Sequence, residues 1–80
     1  MPIRVDLNPI LRRKYRPDYD PDQGLILADG AGKTLYQIVK ELGIPFDEVS
    51  STLVNNRFQE PGYKVQEGDS ICLAVAISGG

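Results

Sequence analysis

Ile3, Val5 and Leu7 alternate with Arg4, Asp6 and Asn8, a period of two that predicts a half-buried first strand. Pro9 removes a donor from the ladder, and Ile10-Leu11 reads as the strand continuing past a bend. Residues 12–23 are polar, contain Pro17, Pro21 and three aspartates, and read as a surface loop. The apolar run Gly24 to Ala28 predicts a second strand, antiparallel to the first, and Asp29-Gly30-Ala31-Gly32 a turn. The period then changes. Leu35, Ile38, Val39 and Leu42 fall at i, i+3, i+4 and i+7, one face of a helix over 35–42. Thr34 with Gln37 three residues on forms a capping box, Gly43 is the left-handed stop, and Pro45 blocks continuation.

Beyond the helix, residues 46–50 read as a loop or one short helical turn, and Thr52 to Asn55 as a third strand. Asn55-Asn56 tolerate positive φ and predict a tight turn into Arg57-Phe58. Pro61-Gly62 and Glu67-Gly68-Asp69 mark further turns. The last apolar run, Ser70 to Ile77, puts Ile71, Leu73, Val75 and Ile77 on one face of a final strand. One helix for several strands covers one face of a mixed sheet, so the expected fold class is α+β: a roll of four to five strands with one main helix packed across it.

Eighty residues make one domain, 1–80, with little room for an internal active-site cavity. Nine basic against eleven acidic residues leave a net charge of −2, which gives no reason to expect a nucleic-acid partner. No apolar run is long enough to span a bilayer and Met1-Pro2-Ile3-Arg4 has no signal-peptide pattern, so no membrane partner and a cytoplasmic location are expected. The single cysteine, Cys72, supplies neither an internal disulfide nor a structural zinc site, and histidine, the commonest general base and metal ligand, is absent. No metal site and no catalysis by the chain alone are therefore expected.

The remaining candidate chemistry is at the end of the sequence. Gly79-Gly80 follows the predicted last strand by one residue, Ser78. Two residues without side chains can thread a narrow channel, and the reactive group they present is the α-carboxylate of Gly80. A carboxylate is a poor electrophile until it is activated, and nothing in the chain activates it.

The segment from Glu67 to Gly80 resembles the C-terminus of the small sulfur carriers of the MoaD/ThiS family, which have the ubiquitin-like β-grasp fold. That pattern is a Gly-Asp turn, a strand of alternating apolar residues and a terminal Gly-Gly. Ile10-Leu11-Arg12-Arg13, Thr34 through Gly43 and Leu53-Val54-Asn55 are similar to further family segments, in order along the chain. Asn56 replaces the family's turn glycine, Ala74-Val75-Ala76 stands where molybdopterin carriers often have Phe or Pro, and the loop at 12–23 is long and proline-rich.

The resemblance implies a mechanism. An E1-like adenylyltransferase of the MoeB/ThiF type uses ATP to adenylate Gly80, a sulfur donor converts it to a thiocarboxylate, and the tail delivers sulfur inside a larger synthase subunit of the MoaE or ThiG type. No cofactor is bound by the carrier itself. Gly80 carries the chemistry and Gly79 gives access. Leu73, Val75, Ile77 and Ser78, with Phe58, are the implied partner interface. The length suits the molybdopterin-type carrier, a protein cosubstrate or small subunit of a synthase. The thiazole-type carrier, a ubiquitin-like modifier of lysines and a non-catalytic β-grasp binding module are the alternatives.

Four other features read as structure or solvated surface. Gly30-Ala31-Gly32-Lys33-Thr34 looks like the end of a phosphate-binding loop, but Leu27 occupies the position of its first glycine. It reads as a turn and an N-cap. Arg12-Arg13-Lys14-Tyr15-Arg16 reads as a solvated loop, with docking to an acidic partner as the alternative, because Asp18, Asp20 and Asp22 follow at once. Those aspartates lack the glycine and glutamate of a calcium loop. Cys72, on the face opposite Ile71 and Leu73, reads as a compact buried or half-buried filler.

Overall fold

The computed structural model describes residues 2–75. Five strands form one sheet in the order β2-β1-β5-β3-β4. They are β1 (Ile3–Leu7), β2 (Leu25–Leu27), β3 (Ser51–Val54), β4 (Arg57–Phe58) and β5 (Ser70–Ala74). The first and last strands run parallel side by side, with Val5 opposite Ile71 and Leu7 opposite Leu73. The other pairings are antiparallel. This mixed sheet is the α+β roll that the hydrophobic pattern predicts, in the ubiquitin-like β-grasp arrangement that the resemblance implies.

The alternation in β1 and β5 explains the core. Ile3, Val5, Leu7, Ile71 and Leu73 point to one side and are buried with Leu35, Ile38 and Val39 of α2 (Leu35–Glu41). Burying each such side chain contributes about 1.5–3 kcal/mol. The capping box is present: Thr34 Oγ1 accepts from the Gln37 amide at 3.2 Å, and Gln37 Oε1 accepts from the Thr34 amide at 2.9 Å. Gly43, at φ +81°, ends the helix. Thr34→Ala removes one of the two cap bonds and is expected to cost about 1 kcal/mol. In a domain of this size that lowers the midpoint of a thermal melt by roughly 4–8 °C.

One segment departs from the pattern. Ile10-Leu11 does not extend β1, and residues 12–15 are not loop: Pro9–Tyr15 is a second helix, α1, as long as α2. The Asn8 side chain accepts from the Leu11 amide at 3.0 Å, and Pro9 takes the first helical position. There its missing N–H costs nothing and its fixed φ suits the helix. Asn55 (φ +53°) and Asn56 (φ +69°) make the tight turn between β3 and β4, both in the left-handed region. Phe46–Glu48 is a short 3₁₀ turn, tied to α2 by the Tyr36 and Phe46 rings at 5.4 Å.

Candidate functional site

Strand β5 is central, and it is gripped from both neighbours to within a residue of its end. On one side the Asn8 amide donates to the Leu73 carbonyl at 3.1 Å; on the other the Ser50 amide donates to the Ala74 carbonyl at 2.9 Å. Leu73 is 0% exposed. The sequence reading that puts Leu73 at a partner interface is therefore corrected: it is buried in the core, where no partner reaches it, and it anchors the strand. Val75 follows, half-buried and packed on the edge of the same core. Ile77, Ser78, Gly79 and Gly80 lie outside the described residues.

Val75 opens onto a cleft of about 250 Å³ between α1 and the 3₁₀ turn. Its apolar wall is Ile10, Leu11, Tyr15 and Val75. Lys14 Nζ and Glu48 Oε1 pair across it at 2.7 Å, while Glu48 Oε2 is sealed from solvent without a hydrogen-bond partner. This cleft exists because Pro9–Tyr15 is helical. The signal for it was Asn8-Pro9, a cap followed by proline at the first helical position.

Phe58 stands away from that cleft, on the edge strand β4, 76% exposed and opposite Leu53. Leu53 in turn lies opposite Cys72. Cys72 is exposed on the outward face of the sheet, not filler as the sequence reading has it. Partial burial, reinforced by the negative charge of Asp6 on the neighbouring strand, pushes its thiol pKa up, so at neutral pH it is a poor nucleophile.

On β1 the side chains facing away from the core form a polar cluster. Arg4 and Asp6 pair at 3.0 Å, and the Tyr19 hydroxyl donates to Asp6 at 3.0 Å, pinning the loop after α1. Burial, then that bond to Asp6, raises the Tyr19 pKa. Gly24 closes over the pair. Its φ is +68°, and a Cβ there would come within 2.9 Å of both Arg4 Nε and Asp6 Oδ1. The Gly-Lys-Thr segment is spent on structure: Thr34 caps α2, and Lys33 Nζ pairs with Glu41 at 2.8 Å.

The family described as Mut7-C ubiquitin matches residues 5–75, nearly all of the described chain. No curated protein matches the sequence. Among the described residues, no helix is long and apolar enough to cross a membrane.

Proposed function

Since the chain belongs to the Mut7-C ubiquitin family, with its ubiquitin-like fold, we propose that it serves as a sulfur carrier, a protein cosubstrate whose working group is the Gly80 carboxylate. The observation that supports this reading is the seating of β5. The strand is held on one side as far as Leu73 and on the other as far as Ala74, and leads, through Val75 at an open apolar cleft, to the diglycine at 79–80. A rigid base close to a narrow end lets a partner read the base and reach the end, so the reacting atom is positioned by binding and not by chance collision.

The chemistry balances without a catalytic group on the carrier. An E1-like adenylyltransferase of the MoeB/ThiF type joins the Gly80 carboxylate to the adenylyl group of ATP, and pyrophosphate leaves. Hydrosulfide from a sulfur donor attacks the acyl carbon, AMP leaves with the former bond, and a proton is released. The sulfur of the resulting thiocarboxylate attacks an electrophilic carbon of an acceptor held by a larger subunit of the MoaE type and displaces an oxygen leaving group; water then cleaves the acyl–sulfur bond, so the sulfur stays on the acceptor and the Gly80 carboxylate is restored. The acceptor in this reading is the pterin precursor of molybdopterin, because the length of the chain suits the molybdopterin-type carrier. Val75, Phe58, Ile77 and Ser78 are the proposed contacts to these partners.

The family's description supports a second reading. A ubiquitin-like unit named together with Mut7-C fits a binding module whose last residues carry no chemistry. Intact-mass measurement separates the two after incubation with an E1-like adenylyltransferase, ATP and sulfide. Exchange of one oxygen for one sulfur at Gly80 is the expected result. Lysine-linked adducts would instead identify a protein modifier. An unchanged mass with enzymes of both the MoeB and ThiF types would leave the module.

A further inference from the structure

A second cleft, of about 280 Å³, lies where α1 meets the loop that follows it, and is lined by Arg12, Arg13, Arg16, Pro17 and Tyr19. Three arginines line it in a protein whose net charge is −2. None has an acidic partner among the described residues. Arg12 sits with its Cζ 5.7 Å from the centre of the Tyr19 ring. The ring is fixed by the hydroxyl bond to Asp6, and the loop is fixed by the Tyr19 amide donating to the Arg16 carbonyl at 2.9 Å. Arg16 Nε is sealed from solvent and has no acceptor. A buried donor without an acceptor is rare in folded proteins, and it leaves the charge of this guanidinium uncompensated by any bond at Nε.

We propose that this cleft binds the phosphate group of a small phosphate monoester. Charge and shape decide the ligand class. A carboxylate brings one charge and two oxygens, too few for three guanidinium forks. A phosphate monoester brings up to two charges and three terminal oxygens, and guanidinium groups match those oxygens in pairs. The volume lies just under the range of about 300–1,000 Å³ typical of small-molecule sites, which leaves room for a short organic group beyond the phosphate. Asp18, Asp20 and Asp22 follow directly in the loop and oppose an extended polyanion such as a nucleic-acid strand. The proposal stands independently of the chemistry at Gly80.

The test is an amide and arginine Nε–H NMR titration of the full chain at constant ionic strength. The probes are inorganic phosphate, glycerol phosphate, a phosphoserine peptide and a single-stranded oligonucleotide. The expected result is saturable shifts confined to Arg12, Arg13, Arg16 and Tyr19 with the first two probes, glycerol phosphate binding at least as tightly as inorganic phosphate. Arg16→Gln should weaken binding by about 10- to 100-fold, the loss that one charge-assisted bond carries. Arg13→Gln, at an exposed position, should weaken binding in the same direction without disturbing the fold. Shifts that grow linearly, or that neither variant changes, would overturn the site. Saturation by the peptide or the oligonucleotide alone would overturn the small-ligand assignment.

Discussion

Deleting Gly80 is expected to leave the domain folded and to abolish sulfur loading. The two outcomes separate because they depend on different parts of the chain. Among the described residues, the buried apolar side chains run from Ile3 to Leu73, and the last backbone bond that holds β5 is at the Ala74 carbonyl. Loss of one residue six places further on removes none of them, so the thermal midpoint should match that of the full chain. The carboxylate, by contrast, is drawn back by about 3.5 Å, the span of one extended residue. A misplacement of even 1 Å can cost about 100-fold in a positioned reaction. Formation of the thiocarboxylate, followed by intact mass with an adenylyltransferase, ATP and sulfide, should therefore fall by at least about that factor. A shortened chain that takes up sulfur at the full rate would sink the carrier reading, because the carboxylate's position would then be irrelevant. A shortened chain that melts early would mean that the end of the chain also serves the fold.

The sheet was legible because its signals are local and strong. Alternation in Ile3–Leu7 and Ser70–Ala74 leaves one choice of buried face, and the Thr34–Gln37 cap fixes the start of α2. The left-handed Asn55-Asn56 turn could be read from side chains that tolerate positive φ. Helix α1 was missed because Asn8-Pro9 carries two meanings. Proline ends a strand ladder, and it also begins a helix. With only Leu11 fully buried, α1 lacks the apolar stripe that would have decided between them. That error hid both clefts, since each takes a wall from α1. Leu73 was misplaced for a different reason: alternation shows which residues share a face, and the same face of one strand can meet the core or a partner. The Arg12–Arg16 run read as solvated charge because sequence spacing gives no sign that Tyr19 folds back beneath it.

Asp69→Ala is expected to be the most destabilising single polar substitution in the domain. Asp69 is only 7% exposed and ties its own turn and the loop before it to the β3–β4 turn. Its Oδ2 accepts from the Gln66 amide and from the Tyr63 hydroxyl, both at 2.9 Å, and its Oδ1 accepts from Asn55 Nδ2 at 3.0 Å. Asn55 in turn accepts from the Ser70 amide at 3.0 Å, so the β3–β4 turn is fastened to the start of β5. Tyr63 belongs to the loop whose carbonyls at Pro61 and Tyr63 receive the first amides of α2. Removing the carboxylate strands three donors, at a cost of about 3 kcal/mol. Against a total of about 4–12 kcal/mol for a chain this long, that is a large share. It corresponds to a drop of roughly 12–24 °C in melting temperature. Asp69→Asn should recover only part of this, because one end of the amide turns an N–H toward a neighbouring donor.

The pH dependence supplies an independent check. Burial alone would raise the Asp69 pKa, but the bonds from Gln66, Asn55 and Tyr63 outweigh it and hold the group below the ordinary carboxylate value. The native state then binds this proton less readily than the unfolded chain does. The stabilisation is complete above the unfolded value near about 4, and it is lost as pH falls through the lower folded value. Urea unfolding of the wild type should weaken over that acid window, and the difference between wild type and Asp69→Asn should shrink there. An Asp69→Ala protein that melts within about 2 °C of wild type, where the bond count calls for several times that, would mean that the Asn55 and Tyr63 donors are satisfied by water and that the network is not what seats β5.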